Sequence, residues 1–264
     1  MSVVHHVFDA FVVLHITAGA PGLISFWGPM LTKKGSRRHS AWGKFFTVSM
    51  LLTASFAVAM ATLTIFAPMA THPQLADHPE FSDPALVRGV FGWMMLYLAI
   101  LTINLAWYGW SCIRNRADHA AHLKPLNAGL HGVLTAASLA CAVQGALIGQ
   151  WMLIGISIVG FATVVTNLRF MLMRAPGPKD WLLEHIKGIV GVGISVYTAF
   201  FAFGAVRIAP EWALTPALWS APLVTGLAII IYHQQKTLGR FGARRAAHAP
   251  VNKRPEFRRS GVVG

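Results

Sequence analysis

Long apolar segments alternate with short polar ones along most of the chain. The breaks between them are rich in charge, Pro or Gly, as in "TKKGSRRH" and "RAPGPKD", and the shortest break is "IGQW". A helix needs about 20 apolar residues to cross the hydrocarbon core of a bilayer, and each segment approaches or exceeds that length. The pattern predicts seven transmembrane helices, over residues 7–31, 45–69, 86–112, 128–147, 149–173, 182–206 and 215–232.

The fold class that follows is an all-α integral membrane bundle. A membrane-spanning sheet would have to close into a barrel, and these segments are too long and too apolar for its strands. Residues 1–236 are predicted to form the transmembrane domain. Residues 237–264 lack apolar periodicity and are predicted to form a basic, disordered cytoplasmic tail. Only 12% of the residues are charged, whereas soluble domains carry about 25%, so a soluble surface could not be covered.

The basic residues predict how the bundle is oriented. Lys and Arg near the ends of transmembrane segments favour the cytoplasmic side. With the N-terminus outside and the C-terminus inside, 19 of the 22 basic residues fall on that side. An even number of segments would break this pattern. The prediction is therefore a multi-pass protein of the cell inner (plasma) membrane.

The net charge of +13 is explained by this topology. A cationic inner surface is expected to contact anionic lipids at the cytoplasmic face of the bilayer. No nucleic-acid partner is expected. The sequence leaves open whether the protein forms a homo-oligomer or joins a membrane complex.

Polar residues inside the apolar segments predict a polar bundle interior, because polar groups in a bilayer face neighbouring helices. His15 shares a helix face with Gly19 and Gly22, so a neighbouring helix can approach it closely. The glycine run "GIVGVG" in the sixth segment likewise predicts close packing by small residues rather than a phosphate-binding loop. The further predicted interior residues are Tyr97, Asn104, Tyr108, Asn167 and Glu184.

Four more histidines are predicted to lie at one depth, near the cytoplasmic ends of their segments: His39, His131, His185 and His233. Imidazole is a common ligand of metal ions and of haem iron. Histidine is also amphipathic and suits a membrane interface without any ligand. We predict a metal site formed by His39, His131 and His185. The wider set of candidate ligands for a divalent metal ion or haem b is His15, His39, His131, His185 and His233.

The stretch "HITAGAPGLISFWGPMLTKKGSRRHSAWGKFF" resembles the start of a bacterial family of multi-pass predicted membrane proteins of unknown function. "WLLEHIKGIVGVGISVYTAFFAFG" is similar to a later motif of that family, and "LWSAPLVTGLAIIIYHQQ" to its last helix. The resemblance implies a multi-helix membrane fold and no particular activity. It implies that His15, His39 and His185 are motif positions.

Three functions are compatible with these patterns. The first is a metal- or haem-binding protein with a redox role near the cytoplasmic face. The second is a transporter or proton pathway lined by His15, Asn104 and Asn167. The third is a membrane assembly subunit without chemistry of its own. The sequence identifies no catalytic residue and no substrate.

Overall fold

The computed structural model of the protein describes residues 2–78, 81–201 and 216–239. The predicted all-α class is confirmed for this part of the chain, which contains no strand. Residues 240–264 of the predicted tail lie outside the described residues. The seven long helices of the described chain are α1 (Val3–Ser25), α2 (Arg37–Phe66), α3 (Met95–Arg114), α4 (Pro125–Leu147), α5 (Trp151–Met171), α6 (Asp180–Ala199) and α7 (Pro216–Thr237).

Helices α1 to α5 are long and apolar enough to cross a membrane. Two of them are extended by short helices: Trp27–Leu31 continues α1, and Pro84–Val87 with the π-helical Arg88–Met94 precedes α3. Helix α6 is also 20 residues long, but it carries Asp180, Glu184 and Lys187 in its first half. These five helices support a membrane protein.

The narrow break predicted at "IGQW" is confirmed as a tight turn. Helix α4 ends at Leu147 and α5 begins at Trp151. Gly149 has a φ of 67°, a left-handed conformation that favours glycine. The amide of Gln150 donates to the carbonyl of Gly145 at 2.8 Å, which closes the end of α4. One glycine therefore divides this apolar run into two antiparallel helices.

Helix α3 is the centre of the bundle. It packs against α2, α4 and α6, whereas α1 packs mainly on α2, α5 on α4 and α7 on α6. Twelve of its 20 residues are buried, and most of its polar side chains therefore face other helices. Side chains on α2, α4 and α6 consequently approach α3 from different sides.

The basic loops meet at one end of the bundle, which we call the basic end. Lys179, just before α6, donates a 2.8 Å hydrogen bond to a backbone carbonyl at the end of α7. The His119 ring, in the loop after α3, packs on Phe170 near the end of α5 with centroids 4.9 Å apart. Lys34, in the loop after α1, is close enough to Lys236 on α7 for their positive charges to repel each other. The loops predicted to share one side of the membrane are thus grouped in space.

Helices α3 and α6 cross at a pair of glycines, as the run "GIVGVG" predicted. A Cβ atom on Gly188 would lie 2.7 Å from the Cα of Gly109. A Cβ atom on Gly109 would lie 3.0 Å from the backbone nitrogen of Ile189. The two backbones therefore touch, and this contact sets the distance between the two helices.

We expect Gly188→Ala to lower the free energy of unfolding by about 1–3 kcal/mol, because the new methyl group would push two backbones apart. Thermal unfolding in detergent would measure the change. Gly129→Ala on α4 is the matched control, since a Cβ atom there meets nothing within 4 Å. Equal unfolding temperatures for the two variants would contradict the close crossing.

Candidate functional site

A charged pair lies inside the bundle near the basic end. Glu184 and Lys187, one turn apart on α6, form an ion pair whose side chains are only 18% and 21% exposed. The hydroxyl of Tyr108 on α3 donates to Oε2 of Glu184 at 2.5 Å. The Lys187 ammonium also lies 5.5 Å from the centroid of the Tyr108 ring. Each of these three polar groups thus has a partner, which offsets part of the cost of burying the charges.

A second set of polar side chains lies beside this ion pair and comes from α4 and α5. Nδ1 of His131 lies 2.7 Å from the carbonyl oxygen of Asn127. Because a carbonyl can only accept, Nδ1 carries the proton, and in the neutral ring Nε2 is an acceptor. The amide nitrogen of Asn167 lies 3.2 Å from that Nε2 and donates to it. The Tyr108 ring meets the His131 ring edge-on, with centroids 5.8 Å apart, so the two groups are in contact.

Two asparagines have buried amide atoms without a hydrogen-bond partner among the described residues. Asn104 is 1% exposed and neither its oxygen nor its nitrogen is paired. Asn167 is fully buried, and its side-chain oxygen is unpaired. Most buried polar atoms in proteins are hydrogen-bonded, and exceptions often mark a place for water or another polar ligand.

The register of α3 and α5 places these two asparagines at the same level. The hydroxyl of Tyr97 donates to a backbone carbonyl of α5 at 2.8 Å, and a Cβ atom on Gly160 would lie 2.7 Å from the Tyr97 ring. Both helices run toward the basic end. Asn104 and Asn167 each follow one member of this contact by seven residues, or about two turns. Amide atoms without a hydrogen-bond partner therefore lie at the same level on two helices, and we call this level the asparagine layer.

Together these residues form a polar seam that runs from the basic end into the bundle. It begins at the basic end, where a cavity of about 300 Å³ opens between α5 and α6 and has Glu184 and Lys187 in its wall. It continues past Tyr108 toward the layer of Asn104. The seam consists of Tyr97, Asn104, Tyr108, His131, Asn167, Glu184 and Lys187.

The predicted metal ligands are not gathered into one site. Among the described residues, no three His, Cys, Asp or Glu side chains are grouped closely enough to hold a metal ion. His39 on α2 and His185 on α6 lie within electrostatic reach of each other. His131 belongs to the seam between α4 and α5, and the central helix α3 separates α4 from α2. The physical reason is the arrangement of helices, which the depth of each histidine in the membrane does not determine.

His15 and His233 lie apart from the seam. Nδ1 of His15 lies 3.0 Å from the carbonyl oxygen of Thr53, so His15 faces α2 as part of the α1–α2 contact. Gly19 also packs against Thr53, as predicted from its helix face. His233 lies on α7, within electrostatic reach of Lys34. Of the three residues predicted to line a transport or proton pathway, Asn104 and Asn167 share a layer, and His15 is elsewhere.

A cluster of titratable side chains lies at the end of the bundle opposite the basic end. It was not predicted from the sequence. The His72 ring packs against Phe8 and Phe91, with centroids 5.0 and 4.9 Å away. Burial lowers the pKa of His72 to about 4, and the nearby His5 acts in the same direction. His5 itself pairs with Asp9 at 3.4 Å. Nothing in the segment "THPQLADHPEFSDP" indicates that one of its histidines becomes enclosed by aromatic rings.

This cluster predicts that acid destabilises the opposite end. His72 takes up a proton near pH 6.5 when unfolded but near pH 4 when folded. The unfolded state therefore binds more protons between these values, and stability falls as the pH drops from 6.5 to 4, by at most about 3 kcal/mol. We expect His72→Phe to reduce the difference in unfolding temperature between pH 7 and pH 5. His6→Phe, at an exposed position, is the control, and an unchanged pH difference in the His72 variant would refute this account.

No known protein family, curated protein or solved structure matches this chain. Its function has to be inferred from its own residues and their geometry.

Proposed function

We propose that the protein spans the cell inner membrane seven times, with the N-terminus outside and the C-terminus in the cytoplasm. The grouping of the basic loops at one end supports this orientation, since Lys and Arg favour the cytoplasmic side. The buried pair of Glu184 and Lys187 supports counting α6 as a span, because each charge has a partner. The basic end would then contact anionic lipids. A C-terminal reporter active only outside the cytoplasm would refute the topology.

Within this topology, the function that the geometry supports best is proton transfer through the bundle, as in a proton-coupled transporter. The observation that carries the proposal is the polar seam, with Glu184, Tyr108 and His131 in successive contact. Ionisable residues inside a membrane bundle are costly, and they commonly mark proton or ion pathways. The apolar helices around the seam separate it from lipid.

Each part of the seam has a distinct role in this proposal. Glu184 exchanges protons with the cavity at the basic end, and Lys187 and Tyr108 hold its carboxylate in place. His131 can take up a proton at Nε2, the ring nitrogen that its bond to the Asn127 carbonyl leaves unprotonated, and release it again from the same nitrogen. The amides of Asn104 and Asn167 can hold water molecules, which continue the path beyond His131.

Proton flux into liposomes tests this proposal. The purified protein is reconstituted with an internal pH-sensitive dye, and acidification is followed after a pH step. We expect Glu184→Gln to lower the flux by about tenfold or more, because the amide cannot relay a proton although it keeps the shape of the side chain. Asp180→Asn is the matched control, since that carboxylate lies on the same helix and caps the amide of Gly177. Equal flux in the wild type and in Glu184→Gln would overturn the proposal.

A haem or metal ion bound near His39 and His185 is the second candidate, with a redox role. Nδ1 of His185 lies 2.8 Å from the Gly109 carbonyl, and Nδ1 of His39 lies 3.1 Å from the Pro29 carbonyl. In each histidine the bond to the carbonyl places the proton on Nδ1 and leaves Nε2 as the nitrogen that could bind a metal. The same arrangement is found around metal-ligating histidines. A bound haem iron would supply one-electron transfer. Both histidines are also motif positions in the family resemblance, which stays a prediction.

The absorption spectrum of the protein purified in detergent, with metal analysis of the same sample, tests this candidate. A haem band that shifts on reduction, and that is lost in His185→Leu but kept in His233→Leu, would support it. A colourless, metal-free preparation that retains wild-type proton flux would contradict it.

A further inference from the structure

The cavity at the basic end lies between two helices that make few contacts with each other. Helix α5 packs on α4 and α6 packs on α3, so α5 and α6 have little direct contact with each other. The gap between them forms the cavity of about 300 Å³. Its walls come from the last turns of α5 and the first turns of α6: Thr166, Arg169, Phe170, Met173, Asp180, Leu183, Glu184 and Lys187.

The charges in this cavity are not equally available to a ligand. Glu184 is paired with Lys187 and accepts the Tyr108 hydroxyl. Asp180 accepts the amide of Gly177 at 2.7 Å. Arg169 is exposed and has no ion pair or hydrogen bond within the described part of the chain. The Asp180 carboxylate keeps its negative charge in that bond, so Arg169 carries the one charge of the wall that has no partner among the described residues.

The remaining walls of the cavity are apolar. Phe170 near the end of α5 and Met173 just after that helix lie across the gap from Leu183 on α6. A guanidinium favours a planar, bidentate contact with phosphate oxygens. Apolar side chains next to it suit a hydrocarbon chain but offer nothing to a free inorganic ion. The combination matches a molecule with a phosphate group and an acyl chain.

We propose that this cavity binds the phosphate group of an anionic phospholipid from the cytoplasmic leaflet, with Arg169 as the phosphate-binding residue. The acyl chain would lie along Met173 and Leu183. The cavity itself holds two basic and two acidic side chains, but it opens at the basic end, whose lysines and arginines attract anionic lipids of the cytoplasmic leaflet. This site rests on the proposed topology, which places the basic end in the cytoplasm, and it does not require proton transfer.

Native mass spectrometry of the detergent-purified, full-length protein tests the site. Phosphatidylglycerol, phosphatidylcholine or inorganic phosphate is added, and the fraction of protein that retains the ligand is measured at several concentrations. We expect Arg169→Gln to weaken retention of phosphatidylglycerol by about tenfold, the effect of losing a charge-assisted contact. Arg174→Gln is the matched control, because Arg174 is an exposed arginine outside the cavity walls. It should change retention less than about twofold, as expected for a general surface charge.

Three results would overturn the proposal. The first is equal weakening in both arginine variants, which would indicate a general attraction to the basic end. The second is unchanged retention in Arg169→Gln. The third is retention of phosphatidylcholine or of inorganic phosphate that equals retention of phosphatidylglycerol, which would indicate a general lipid contact or a free-phosphate site. The reporter experiment tests the topology separately, and the flux measured in Glu184→Gln tests proton transfer separately, so each failure can be identified.

Discussion

Replacing Glu184 with leucine is expected to lower the free energy of unfolding by about 1–3 kcal/mol, the usual cost of leaving a half-buried polar group without its partner. The substitution leaves the Lys187 ammonium without its carboxylate, and it leaves the Tyr108 hydroxyl without its acceptor. The Tyr108 hydroxyl is buried and the Lys187 ammonium is half-buried in the wall of the cavity, so water replaces only part of the lost contacts. Unfolding by titration with a denaturing detergent, followed by circular dichroism, measures the change.

A second variant separates the ion pair from other effects of the substitution. In Glu184→Leu combined with Lys187→Leu, no unpaired charge is left in the bundle. This double variant should therefore recover most of the lost stability, since apolar replacements of buried pairs are often neutral. If the double variant is no more stable than the single one, the buried pair is not the source of the loss.

Replacing Asn104 with leucine is expected to reduce proton flux by about tenfold while changing the free energy of unfolding by less than about 1 kcal/mol. The amide of Asn104 has no hydrogen-bond partner in the described chain, so leucine of similar size removes no protein contact. The same substitution removes a polar group from the layer that it shares with Asn167. Loss of flux without loss of stability would distinguish a pathway residue from one that holds helices together.

Thr102→Val provides the opposite control on the same helix. The hydroxyl of Thr102 lies 2.7 Å from the hydroxyl of Ser195 on α6, and neither residue belongs to the seam. This variant should lose about 1 kcal/mol of stability and keep its flux. Unchanged flux in Asn104→Leu would contradict the proposed role of the asparagine layer.

The sequence predicted the features that depend on local pattern. Apolar length identified the helices, the "IGQW" break was found at Gly149, and the run "GIVGVG" indicated the close crossing at Gly188. The buried polar stripe of Tyr97, Asn104 and Tyr108 also followed from its spacing on one helix. Each of these signals is carried by residues a few positions apart, so helical geometry alone suffices to interpret them.

The features that depend on which helices are neighbours could not be predicted in this way. His39, His131 and His185 were predicted to share a depth, but no three His, Cys, Asp or Glu side chains of the described residues are grouped closely enough to hold a metal ion. His15 was predicted to be an interior residue, and its ring faces α2. The contact of Glu184 with Tyr108 joins residues 76 positions apart. Depth in the membrane follows from a sequence pattern, whereas the angular position of a helix in the bundle depends on packing among all helices.

The central position of α3 also constrains how the protein is made. Membrane proteins are synthesised from the N-terminus, so α3 enters the bilayer before α4, α5 and α6 exist. Until those helices arrive, Asn104 and Tyr108 lack the neighbours that bury them in the finished bundle, and polar groups exposed to lipid are unfavourable. Helix α6 brings Glu184 and Lys187 last, and Tyr108 is then already in place to receive the carboxylate. Synthesis from the N-terminus therefore delays the burial of the polar side of α3 until α6 has been made.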